Sequence, residues 1–210
     1  MPKSTPTKNQ EALPAEREPV VLRFAPLLSR LSKDDYFRFC QANELWLLEL
    51  SKEGDLIVWP LQGADISRRN AKLTGLFGEW SEADGTGIGF GSCTGFTLPN
   101  GAVRAPDLSW LKKERWQALT KKEREQFAPL CPDFVVELRS YTDPLKWLQA
   151  KMEEYLENGA LLGWLIDPIK RKVYIYRPHQ SVECLKNPQE LSGENVLPGL
   201  MLPVTRLWED

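Results

Sequence analysis

The sequence predicts one α/β (α+β) domain, a mixed β-sheet flanked by helices, and three observations predict it. Short apolar runs of strand length recur between turn residues, as in 46–50, 56–59 and 134–138. Two longer stretches, 64–82 and 144–159, carry their apolar residues at helical spacing instead. Residues 133–166 read as strand, helix, strand, a unit that sets two parallel strands into a sheet whose other strands arrive as antiparallel runs. The 210 residues suffice for one domain with a substantial core and are short for two. That domain is expected over residues 26–210. Residues 1–25 are expected to form a flexible polar tail, rich in Pro, Lys and Glu and without the apolar core of a secretory signal.

The elements follow in order. Ser32, with Asp35 three residues on, is the capping pair of a first helix over about 29–43. Runs 46–50 and 56–59 are two strands, and Gly54 in the link between them suits a tight hairpin turn. In the 64–82 helix Ile66, Leu73, Leu76, Phe77 and Trp80 share an apolar face; Gly75 and Gly78 weaken it but would let a neighbour approach closely. The stretch from Gly85 matches GxGxxG only loosely, without βαβ context or a following Lys-Ser/Thr, and reads as strands turning at Pro99-Asn100-Gly101. A strand is expected to run on from Val103 through Asp107 to Trp110. Thr120 with Glu123 is a second capping box, for a short helix. Residues 134–138 form a buried-looking strand with Glu137 set into it. Pro144 opens a helix that runs through Leu148, Met152 and Tyr155 to a stop at Gly159. Strands at 161–166 and 172–176 flank Asp167-Pro168, a weaker strand lies near Val182, and a Pro-rich segment leads to Trp208.

Composition removes several function classes. No apolar stretch reaches the length that crosses a bilayer, so no membrane role is expected. Cys40, Cys93, Cys131 and Cys184 are far apart and form no CxxC pair, which argues against a thiolate zinc site and for reduced thiols in a cytoplasmic protein. His179 is the single histidine, so His-rich metal sites and any triad not built on His179 are excluded. Acid–base or metal chemistry here must rest on carboxylates and lysine. A net charge of −2 argues against bulk electrostatic binding of nucleic acid but leaves room for a local basic groove. Arg68, Arg69 and Lys72 on one helix, and the Lys/Arg run from 112 to 124, are candidates for it. Interspersed Glu114, Glu123 and Glu125 make solvated helix faces the plainer reading.

Three charged residues carry the chemical signal. Glu137 lies inside an apolar strand, where a carboxylate needs a partner: a divalent cation, or an ion pair such as Arg139 on the same face. Asp107, after Pro106, again sits among apolar neighbours; Asp133, also after a Pro, is its rival at the mouth of the Glu137 strand. Lys151 stands at the edge of the apolar stripe of its helix, from which an ammonium can reach along the sheet towards Glu137, or simply cover apolar surface. Two carboxylates and a lysine on adjoining elements are what phosphodiester hydrolysis requires. The carboxylates hold Mg²⁺, a hard ion that prefers oxygen ligands, and the lysine orients water and offsets developing charge at phosphorus.

In sequence order, Pro106-Asp107, Val135-Val136-Glu137-x-x-Ser140, Lys151-x-x-x-Tyr155-x-x-x-Gly159 and Trp164-x-x-Asp167-Pro168 resemble the bacterial Uma-two family of restriction endonucleases, a branch of the PD-(D/E)XK nuclease superfamily. Thr94-Gly95-Phe96, Leu98-Pro99-Asn100-Gly101 and the Glu49-to-Gly54 hairpin add to the resemblance, which covers roughly residues 30–208. It implies a restriction-endonuclease-like core and a Mg²⁺- or Mn²⁺-dependent endonuclease acting on nucleic acid, DNA in particular. The implied centre is Asp107, Glu137 and Lys151, with Glu49 and the main-chain carbonyl of Leu138 as further metal ligands. Arg139, Arg68 and Arg69 are the candidate phosphate contacts. Two departures stand out. The superfamily lysine usually follows the Glu by two positions, where Arg139 stands and cannot act as a base; Lys151 is its replacement. Ser67, Arg68 and Arg69 lie near where relatives often carry a histidine. A homodimer is expected by analogy, since two-fold symmetry is the simplest way to cut both strands of a duplex. The alternatives are a nuclease fold retained for binding after loss of catalysis, and a protein-interaction domain using some of the eight Trp.

Overall fold

Turn chemistry and apolar patterning divide the chain between two main sheets that meet at one seam. The computed structural model describes residues 18–23 and 32–209. Strand β1 (Val20–Leu22) is followed by α1 (Lys33–Ala42), the hairpin β2 (Leu47–Leu50) and β3 (Leu56–Trp59), and the long helix α2 (Ala64–Asp84). Then come β4 (Gly87–Gly91), β5 (Phe96–Thr97), β6 (Val103–Arg104) and β7 (Leu108–Lys112), and the short helices α3 (Lys113–Gln117) and α4 (Lys121–Glu125). Strand β8 (Phe134–Leu138), helix α5 (Leu145–Glu157) and strand β9 (Leu162–Asp167) form the parallel unit, and β10 (Lys172–Tyr176) and β11 (Glu183–Lys186) follow it. A two-stranded ribbon, β12 (Leu191–Ser192) with β13 (Met201–Leu202), and a 3₁₀ turn at Val204–Leu207 end the described chain.

The smaller sheet has the order β1-β3-β2-β6-β5 and the larger one β11-β10-β9-β8-β7-β4. Within the larger sheet only β8 and β9 run parallel, as the intervening helix requires. Alternation along β8 sends Val136 and Leu138 to one face and Val135 to the other. The first face packs against Leu73 and Phe77 of α2 and the C-terminal segment, with Phe77 stacked on Phe134 at 5.8 Å between ring centres. The second packs against Leu148, Met152 and Tyr155 of α5. Glu137 shares that second face, so it points at α5. Tyr36 of α1 covers Leu48, Leu56 and Val103 of the smaller sheet.

Both capping boxes form, Ser32 with Asp35 and Thr120 with Glu123, and Gly54 turns the β2–β3 hairpin at φ +89°. Three expectations change. The strand expected from Val103 to Trp110 is broken: β6 pairs with β2 and β5, β7 with β4 and β8, and residues 105–107 cross from one sheet to the other. Pro106 has no N–H to give a ladder, which fixes the break there. Gly75 and Gly78 permit no close approach, because a Cβ at either would meet nothing within 4 Å. Val20–Leu22, inside the stretch assigned to the tail, pair with β3; residues 1–17 and 24–31 lie outside the described residues.

The glycine that does matter for packing is Gly87 on the edge strand β4. A Cβ there would stand 2.1–2.5 Å from the buried indole of Trp110. Gly163 on β9 is also covered, but the atom in the way is the flexible Met152 Cε. Gly87→Ala should cost on the order of 1–3 kcal/mol in urea unfolding and Gly163→Ala less, since a methionine end can swing aside and an indole cannot.

Candidate active site

The seam between the sheets is held by one buried lysine. Lys151 lies on the face of α5 that meets the sheet, 6% exposed, and its Nζ stands 2.8 Å from Glu137 Oε1 of β8 and 2.8 Å from Glu49 Oε1 of β2. Its third donor goes to the carbonyl of Ala105 at 3.2 Å, so the ammonium is saturated. Glu49 is fully buried and equally engaged. Its Oε1 also accepts from the Ala105 amide at 2.8 Å, and its Oε2 accepts from Trp59 Nε1 at 3.0 Å and Arg104 Nη1 at 3.3 Å. Arg104 reaches in the other direction to Glu154 Oε2 at 2.5 Å. Tyr155 donates its hydroxyl to Glu137 Oε1 at 3.1 Å.

Asp107 sits where the chain changes sheets. Its Oδ2 accepts the Leu138 amide at 2.7 Å, and its Oδ1 accepts from Asn70 Nδ2 of α2 at 3.3 Å. Asp107, Glu137 and Lys151 line one cleft of about 530 Å³. The structure thus brings the three expected residues to one place.

The other expected residues go elsewhere. Arg139 does not pair with Glu137 and is not among the described residues that line the cleft. It is buried, with Nη1 2.7 Å from Asp167 Oδ2 and Nε donating to the carbonyl of Asp143 at 3.0 Å. Arg69 is buried against Asp65 and the Leu207 carbonyl, and Arg68 bonds Asp65 and the Glu209 carbonyl, so both tie α2 to the C-terminal segment rather than to a groove. Asp133 accepts the Lys112 amide and Arg115 at the mouth of β8. In the basic run, Lys122 pairs with Asp34 and Lys121 with Glu125. The sequence reading missed Asn70, Trp59, Arg104, Glu154 and Tyr155 as members of the site.

Burial governs the electrostatics. Loss of water pushes the Glu137 carboxyl up to about 8 despite Lys151 beside it, with Asp107 and Glu49 adding to the rise. Desolvation likewise lifts Asp107 to about 6, against the pull of the Leu138 amide. Glu49 behaves oppositely. Burial would raise it, but Lys151 and Arg104 outweigh that and hold it below the usual carboxylate value. Burial disfavours the Lys151 ammonium as well, yet Glu137 and Glu49 keep it charged. One cation therefore serves more carboxylates than it can neutralise.

Among the described residues, no three His, Cys, Asp or Glu side chains stand as a ligand cluster. What the cleft offers is two carboxylates with raised pKa, Asp107 and Glu137, beside hydrogen-bonding main chain. That donor set fits Mg²⁺ or Mn²⁺. Mg²⁺ in particular is bound through one or two carboxylates while water and substrate phosphate fill its other positions. No described helix is long and apolar enough to cross a membrane.

A mixed sheet between two helices, with an acidic pair and a lysine at its seam with a second sheet, makes this an α/β protein with a buried charged cleft. The family model for Uma2, described as "Putative restriction endonuclease", matches residues 34–205, and the chain belongs to that family. Among solved structures it resembles one from Anabaena variabilis ATCC 29413, described as "a putative nuclease belonging to DUF820". The two are 19% identical over 85% of this chain and 97% of that one, with a TM-score of 0.67, a likeness of fold. No curated protein matches the chain.

The raised carboxyls make the metal-free fold sensitive to base. In the unfolded chain both ionise near their ordinary values, whereas folded Asp107 and Glu137 hold their protons to about 6 and about 8. Between those limits the folded state binds more protons, so stability is full below the ordinary carboxylate pKa and falls as pH rises towards 8. Thermal melts in EDTA should show Tm declining from pH 5 to pH 8, and Glu137→Gln should flatten that decline. A Tm that rises over this interval would contradict the assignment.

Proposed function

We propose that the protein is a metal-dependent endonuclease that hydrolyses phosphodiester bonds in DNA at the Asp107–Glu137–Lys151 cleft. The observation that carries this reading is the surplus of carboxylate over cation in a buried cleft that also holds a lysine. Glu49, Glu137, Asp107 and Glu154 converge on only Lys151 and Arg104. Such a surplus is unfavourable in a fold that has no use for it, and a divalent ion relieves it.

Asp107 and Glu137 would hold the ion. The Leu138 carbonyl, next to the amide that fixes Asp107, is the candidate to complete the protein ligands. When bound, the ion supplies charge neutralisation at the phosphate and acidifies water. Leu138 N–H and Asn70 orient the Asp107 carboxylate towards the cleft. Lys151 keeps its positive charge next to Glu137; its three donors are taken, so its role there is to offset charge on the phosphoryl oxygens through its field. Glu49 is better read as the residue that positions Lys151 than as a metal ligand, because four donors already occupy its two oxygens. Lys151 takes the place of the superfamily lysine, with Arg139 turned into the sheet to brace Asp167.

The test is calorimetric titration with Mn²⁺ and Mg²⁺, followed by DNA cleavage on the same samples. Wild type should bind metal and cut. Glu137→Ala should lose both. Glu49→Gln should keep metal binding and lose roughly 10²-fold or more in kcat, the scale of removing a group that stabilises the transition state. Failure of wild type to bind either ion would leave a nuclease fold kept for binding. Loss of metal binding in Glu49→Gln would return Glu49 to the ligand set.

A further inference from the structure

The cleft's lining limits what form of nucleic acid it can accept, and this inference rests on the nuclease reading above. Among the described residues Lys151 is the one Lys or Arg that lines it, and its three donors are taken by Glu49, Glu137 and Ala105. Against it stand four carboxylates in the same lining, Asp65, Asp107, Glu137 and Asp143. Arg68 and Arg69 lie on the neighbouring helix but hold Asp65 and the C-terminal carbonyls. Much of the remaining wall is apolar. Leu61 is 93% exposed, Tyr141 40% and Leu47 39%, and Trp59 and Pro60 lie in the same lining.

A duplex presents a dense row of phosphates, roughly one charge per 1.7 Å of axis, and binds through Lys and Arg that neutralise them. This mouth offers such a row acids, hydrocarbon and the neutral groups of Gln62, Ser67, Ser92, Ser140 and Thr142, none of which neutralises a phosphate charge. An unpaired nucleotide presents a base, which stacks on aromatic side chains and packs on aliphatic ones with little regard to sequence. The cleft volume, about 530 Å³, is of the size that takes one small-molecule-sized group.

We propose that the substrate is DNA in a single-stranded or locally unpaired form, with one base packed against Leu47, Trp59, Leu61 and Tyr141 while its phosphate reaches Asp107, Glu137 and Lys151. Such an enzyme cuts one strand and needs no two-fold partner to do so. Leu61 and Tyr141 are specificity residues, exposed enough to be replaced without loss of the fold.

The experiment compares one labelled sequence as a single strand, as a blunt duplex and as a duplex with a central unpaired bubble, in Mg²⁺ and in Mn²⁺. The single strand and the bubble should be cut at least about tenfold faster than the duplex. Affinity for the single strand should fall less than about tenfold between 50 and 200 mM salt, because few phosphates are neutralised. Leu61→Ala and Tyr141→Ala should raise KM for the single strand several-fold with little change in kcat. Equal or faster cutting of the duplex, or KM unmoved in both variants, overturns the inference and leaves the nuclease reading standing. No cutting of any form, with no metal bound, sinks the nuclease reading and this inference with it.

Discussion

Taking a lysine ammonium out of water costs several kcal/mol, and the cost is offset here only because two carboxylates and a carbonyl meet it. Each partner comes from a different part of the chain: Glu49 from the small sheet, Glu137 from the large one, Ala105 from the crossing between them. Lys151 itself arrives on the helix that covers the large sheet. The contact that keeps the ammonium charged is thus the contact that fixes the two sheets relative to α5. Removing one member leaves charge buried without compensation, a penalty on the order of 3–5 kcal/mol, so site and architecture stand together.

That constraint explains the division of labour among the acids. Glu49, with Arg104 and Lys151 both in reach, remains ionised and acts as a fixed anchor. Glu137 is as deeply buried, and loss of water, with Asp107 and Glu49 facing it, outweighs Lys151 and disfavours its charged form. Environments that push neighbouring carboxyls in opposite directions are a feature of acid–base and metal sites. The strained electrostatics are local. Elsewhere the chain satisfies its buried charges in ordinary pairs, as Arg139 does with Asp167 and Arg115 with Asp133.

Much of this was legible before the fold was known. Capping boxes, the Gly54 hairpin and the strand–helix–strand unit are decided by neighbours within a few residues, and all of them formed as expected. Glu137 could be singled out because a carboxylate in an apolar strand is conspicuous by itself. Missed features depended on distant partners. Arg104 meets Glu49 across 55 positions and Glu154 across 50, and nothing near Arg104 in sequence announces either. Tyr155 fits an apolar stripe whether or not its hydroxyl has a task. Arg68 and Arg69 looked available because the carbonyls they bind lie some 140 residues on. The broken strand at 105–107 was the avoidable error, since Pro106 already forbids the ladder there.

The same accounting bears on substrate. A chain with 27 Lys and Arg could have built a basic groove, but near the cleft its cations are committed to holding the fold. Arg69 and Arg139, at the positions most likened to phosphate contacts, are each buried and bonded to acids. A nuclease that spends its arginines on structure has to gain affinity elsewhere. Exposed Leu61 and Tyr141, in the same lining as Asp107, Glu137 and Lys151, offer apolar area, which is insensitive to salt and blind to the phosphate backbone. Binding through the base rather than through the backbone is then the arrangement this distribution of charge permits.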